Sequence, residues 1–149
     1  MRRKPIILIT LLACLTLALQ AGSEIKNPSP IREIKPRISV TSPAPGQTRW
    51  HACVGKTTTI NWDYLGDIGR TVNIILKGSS GGNITIIGVP AGENLHGSYI
   101  WYIPANVSDG GKGVGGMFTV NVQAGSGSVT ATGGKIEVLD PARGSCPDK

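Results

Sequence analysis

Helical periodicity is what this 149-residue sequence lacks: no window repeats its apolar side chains every three to four positions. Its 21 glycines push the same way, because each costs about 1 kcal/mol inside a helix. Long helices are therefore excluded as the basis of the fold. Concentrated positive charge is also missing. Lysines and arginines are scattered from Lys26 to Lys149 with no cluster able to track a phosphate backbone, which excludes nucleic acid as a partner. Beyond Leu19 no apolar run is long enough to span a bilayer. Groups for catalysis are few: there are two histidines, and only 16% of residues are charged.

The N-terminus has a character of its own. Arg2-Arg3-Lys4 is a positive start, Pro5 to Leu19 is almost wholly apolar, and small residues follow at Ala21, Gly22 and Ser23. This is the pattern of a secretory signal peptide over residues 1–22. The apolar run falls short of the roughly 20 residues that a membrane-spanning helix needs. Loss of the leader removes three of the fifteen basic residues and none of the nine acidic ones, leaving a balance near +3. Within it, Leu11-Leu12-Ala13-Cys14 matches a bacterial lipobox, so lipidation at Cys14 is the alternative to simple export, and the only route to a membrane.

With the leader set aside, Cys53 and Cys146 remain, an even number in an oxidising compartment. A disulfide between them is expected; the alternative is two unpaired thiols. Residues 23–37, with three prolines and alternating charges, read as an extended linker.

From Ile38 to residue 140 the pattern changes to short alternating runs separated by Gly, Pro, Asn, Ser and Asp, the spacing of an all-β sandwich or barrel. The runs are Ile38–Thr41, Thr57–Trp62, Thr71–Lys77, Asn83–Val89, Ser98–Ile103, Met117–Gln123 and Ser128–Leu139. Gly133-Gly134 marks a bulge or bend in the last of them. About seven antiparallel strands match an immunoglobulin-like sandwich in size, although the Cys pair with an intervening Trp that marks antibody domains is absent. Residues 141–149 form a C-terminal tail.

Two glycine motifs invite a phosphate reading and fail it. Gly55-Lys56-Thr57 has Trp50 where a phosphate loop needs glycine, and the residues that follow, β-branched and alternating, form a strand and not a helix. Gly111, Gly113 and Gly116 satisfy G-x-G-x-x-G but precede a strand, whereas a dinucleotide fingerprint follows one.

The order of several motifs is more specific. Thr41-Ser42-Pro43 with Gly46 and Trp50, the strand Ile60-x-Trp62, and Gly97-Ser98-Tyr99 with Trp101 and Pro104 resemble the Ser-Thr-rich glycosylphosphatidylinositol-anchored membrane family, named after fungal cell-wall glucan-assembly proteins and found also among prokaryotic secreted proteins. The similarity runs from about Ile38 to Leu139. It implies an extracellular, non-catalytic β-sandwich module of cell-surface proteins. The chain departs from the fungal members in having no Ser/Thr-rich stalk and no apolar tail after Asp140, so an anchor at that end is not expected.

Candidate sites are correspondingly modest. His51, Cys53, His96 and Cys146 match no zinc spacing, no nucleophile motif is present, and no cofactor is expected. Aromatic residues carry the positive signal. Trp101 and Tyr102 are adjacent on a strand and must point to opposite faces, so one of them is exposed. Trp50, Tyr64 and Tyr102 are the candidates for binding, either of an extracellular protein or of a cell-wall polysaccharide through ring stacking. Asn83-Ile84-Thr85 and Asn106-Val107-Ser108 are N-glycosylation acceptors if the host is eukaryotic.

Overall fold

The computed structural model describes residues 33–47, 50–143 and 146. The signal peptide, Cys14 and most of the linker lie outside the described residues. Among those described, no helix is long and apolar enough to cross a membrane.

Among the described residues, eight strands form two sheets. They are β1 (Arg37–Ser42), β2 (Trp50–Cys53), β3 (Thr57–Leu65), β4 (Thr71–Gly78), β5 (Asn83–Pro90), β6 (His96–Tyr102), β7 (Gly116–Ala124) and β8 (Thr130–Leu139). One sheet has the order β1-β3-β6, the other β2-β8-β7-β4-β5. The alternating runs of the sequence point to seven antiparallel strands, and the structure corrects this in two respects. Trp50–Cys53 is an additional strand, and it pairs parallel to β8, with Trp50 opposite Ile136 and Cys53 opposite Leu139. Four residues are too few to show alternation, and parallel pairing with a strand so far along the chain leaves no local trace. The first strand also begins one residue before Ile38, at Arg37.

Alternation decides which side chains meet between the sheets. Ile60 and Trp62 of β3 face Val72, Ile74 and Leu76 of β4 and Phe118, Val120 and Val122 of β7, all of them fully buried. Trp101 packs edge-to-face on Phe118, with ring centroids 6.1 Å apart and planes at 76°. Each such side chain removed from water contributes about 1.5–3 kcal/mol. The indole Nε1 of Trp62 donates to the Ala91 carbonyl at 3.0 Å, so the polar atom of this buried ring is satisfied.

The chain passes from the first sheet to the second between β1 and β2, and β8 accommodates the crossing. Gly133 and Gly134 together oppose Val120, which makes them the bulge that the sequence suggests. A Cβ on Gly133 would press on Val40 and the Pro43 carbonyl, and one on Gly134 on the Ala44 carbonyl. The Gly134 amide donates to the Pro43 carbonyl at 2.7 Å, which ties the crossing segment to β8. Cys53 and Cys146 form a disulfide across a sequence separation of 93.

Candidate functional site

The three aromatic candidates occupy three separate places. Trp50, on β2, is partly buried against the core, and its Nε1 donates to Thr58 Oγ1 on the opposite sheet at 3.0 Å. Tyr64 packs against the core near the end of β3, with its hydroxyl donating to the Gly92 carbonyl at 3.2 Å. Tyr102 stands open on the outer face of the three-stranded sheet, while its neighbour Trp101 is 3% exposed. Tyr102 pairs with Thr57, seven residues along β3 from Tyr64, so the two tyrosines sit about 23 Å apart. No single ligand of sugar size spans them. Asn83, at the start of β5, and Asn106, in the loop after β6, are both exposed.

Side chains on the outer face of the three-stranded sheet form cross-strand rows. One row is Ser39, Asp63 and His96, in which His96 Nδ1 lies 2.6 Å from Asp63 Oδ1. The carboxylate stands between serine and imidazole, so the imidazole is two strands away from Ser39, and both members of the ion pair are widely exposed. This row and Arg37, together with Ile38, Tyr64, Leu65 and Leu95, line a groove of about 590 Å³. Further along the same face, Ile100 and Tyr102 are 65% and 62% exposed.

A second polar centre lies at one rim of the other sheet. Asp109, only 8% exposed, accepts from Ser79 Oγ at 2.7 Å, from the Gly111 amide at 3.0 Å, from the Met117 amide at 3.2 Å and from Ser80 Oγ at 3.4 Å. The Ser79 hydroxyl and then the Gly111 amide hold its carboxyl below the usual range, and burial opposes them only in part. This carboxylate fastens the β4–β5 turn to the loop that leads into β7. Three of these donors converge on Oδ2 and one on Oδ1, which makes the carboxylate a structural anchor.

Asp109 and Ser79 also border a cavity of about 310 Å³, together with Glu137, Asp140 and Arg143. Glu137 faces His51 across the β2–β8 pair, at 3.6 Å. Among the described residues no group of three His, Cys, Asp or Glu side chains is arranged to hold a metal ion.

The sequence gives little warning of the Asp109 anchor. Its one local signal is Asp109-Gly110-Gly111, where a side-chain oxygen and an amide two residues on form a turn. The serines that complete it are thirty residues away in sequence. Gly55-Lys56 occupies the turn between β2 and β3, with the Gly55 amide donating to the Ile103 carbonyl at 2.9 Å. No protein-family model matches the chain, and no curated protein matches it.

Proposed function

We propose that this protein is an exported, non-catalytic module with an immunoglobulin-like fold that binds a partner or serves structurally at the cell surface or in the periplasm. Strand order is the observation that carries the reading. The orders β1-β3-β6 and β8-β7-β4-β5 support it, because they can be matched to A-B-E and G-F-C-C′ of an immunoglobulin-like sandwich. A sandwich of this kind offers rigid rims and sheet faces to a ligand. The resemblance to the Ser-Thr-rich glycosylphosphatidylinositol-anchored membrane family agrees with it, and the Cys53–Cys146 disulfide suits an oxidising compartment.

The non-catalytic part is supported by two positive features: Asp109 is held by four donors that tie two loops together, and the Asp63–His96 pair has its serine on the wrong side of the carboxylate. The partner is an extracellular protein or a cell-wall polysaccharide. For the latter, Tyr102 is the most exposed of the three candidate rings and the one able to stack on a sugar.

Mass analysis of the exported chain tests the first half: a product beginning at Ser23 is expected, and a lipidated chain beginning at Cys14 marks the anchored alternative. Binding to isolated cell envelopes and to a glycan array tests the second. Saturable envelope binding with a silent array supports a protein partner, whereas array binding abolished by Tyr102→Ala supports a polysaccharide. Hydrolysis of an envelope component, lost in His96→Ala or Asp63→Ala, would overturn the non-catalytic reading.

A further inference from the structure

A sheet edge is a row of unpaired amides and carbonyls, and folded proteins blunt such edges with bulges, prolines, charges or short strands. Among the described residues, three of the four edges are blunted. β1 carries a bulge at Thr41, with Pro36 before it and Pro43 after it. β2 is four residues long. β5 is interrupted by a bulge at Ile87 and Gly88 and ends at Pro90.

The fourth edge, β6, has none of these devices. Its register with β3 runs from Tyr102 opposite Thr57 to His96 opposite Asp63 with no shift, and Gly97 to Tyr102 contains neither charge nor proline.

The hydrogen bonds at the two ends of β6 establish which of its main-chain groups are free among the described residues. The Leu95 carbonyl accepts from Tyr64, and the Ile103 amide donates to Lys56, so odd-numbered residues turn their polar groups toward β3. His96 turns the other way, exchanging both of its bonds with Glu93. By alternation, Ser98, Ile100 and Tyr102 direct their amides and carbonyls off the edge. Their side chains are exposed on the outer face.

We infer that β6 pairs antiparallel with β6 of a second copy of this chain, about a two-fold axis at Ile100. Outward-facing residues have to meet outward-facing residues, and this register engages all three: Ile100 opposite its own counterpart, and Ser98 opposite Tyr102 of the second copy. Up to about six main-chain hydrogen bonds form. The next position would set His96, already bonded to Glu93, against Pro104, which has no amide hydrogen, so the pairing ends where the free groups end. No like charges are opposed anywhere along it. The two exposed isoleucines and both tyrosines then line one face of a continuous sheet, three strands from each copy. An adjacent row one residue out of step would place Tyr102 opposite the committed His96 and leave its main-chain groups unpaired.

Sedimentation of the purified chain over a concentration series, up to about 1 mM, tests this. A monomer–dimer equilibrium is expected, weakened about tenfold or more by Ile100→Lys, which sets two lysines face to face. Ile87→Lys, on the bulged β5 edge, leaves it unchanged. In the unaltered chain, hydrogen exchange at the Ser98, Ile100 and Tyr102 amides slows as concentration rises, a readout independent of any variant. A chain monomeric throughout, association insensitive to Ile100→Lys, or three amides that exchange at one rate at every concentration would overturn the inference. So would slowing of those amides only on addition of an envelope protein, which would assign the edge to a different occupant.

Discussion

Trp62 lies against the backbone of Gly97, its cross-strand partner, so closely that a Cβ at position 97 would overlap the indole ring. The same close approach lets Trp62 Nε1 reach the Ala91 carbonyl. Glycine at 97 is thus a condition for the largest buried side chain of the core. Gly97→Ala forces the indole to move or the strands to separate. A loss of about 1–3 kcal/mol is expected, in the range of overpacked cores. Denaturant melts measure it, and a shift in tryptophan emission reports the displaced ring. Unchanged stability and emission would show that β6 is free to move away from β3.

Asp109 predicts a pH dependence. Its carboxyl titrates lower in the folded chain than its ordinary value of 3.8, because Ser79 and the Gly111 amide favour the charged form. A depressed folded value means that its stabilisation is fully present above about pH 4 and is lost as the pH falls through the folded value. Asp109→Asn keeps the shape but gives up the charge and turns one acceptor into a donor facing other donors. It is expected to lower stability at neutral pH by about 1–3 kcal/mol and to flatten the acid limb of a stability-against-pH curve. An acid limb as steep in the variant as in the parent would move the titration to another group.

Trp50 and Tyr102 are both aromatic candidates for binding, yet their surroundings separate their expected roles. Trp50→Phe keeps most of the packing but removes the donor to Thr58, whose hydroxyl is in a residue only 4% exposed. About 0.5–1.5 kcal/mol of stability is expected to go with it. Tyr102→Ala, on the open face, should stay within about 0.5 kcal/mol in thermal melts. The reverse ranking would show that the Tyr102 ring is held by contacts and that the Trp50 ring is free.

What the sequence discloses follows from the range over which each cause acts. Alternation is local, so Val72, Ile74 and Leu76 and the triplet Phe118, Val120 and Val122 are legible as inward residues, and all six are buried. Adjacent residues on a strand face opposite ways, which makes the Trp101–Tyr102 split legible as well. The bulge at Gly133-Gly134 is visible because two glycines interrupt an alternating run. Pairing across the chain leaves no such mark. The parallel β2–β8 contact depends on residues more than eighty positions apart, and the Asp109 anchor gathers Ser79 and Ser80 from a turn, Gly111 from a loop and Met117 from the start of β7. The edge at β6 is legible only after strand order is known, since a strand without charges reads as a central one.

The disulfide is the last feature with a separable effect. Cys53 is buried at the end of β2, where Val54 donates to the Leu139 carbonyl at 3.1 Å, so the bond fastens the C-terminal segment beside the β2–β8 pair. Closing a loop over a separation of 93 residues restricts the unfolded chain by about 4–5 kcal/mol in the chain-entropy account. Replacing both cysteines, Cys53→Ala with Cys146→Ala, is expected to lower stability by up to about that amount, less whatever residual order the open chain retains. The denaturant slope discriminates between two causes. If the bond acts through the unfolded state, the variant unfolds to a more expanded chain and its m-value rises along with the loss of stability. A loss of equal size at constant m would assign the effect to contacts of the folded state around Cys53, and a variant as stable as the parent would mean that the β2–β8 ladder holds this rim without the covalent tie.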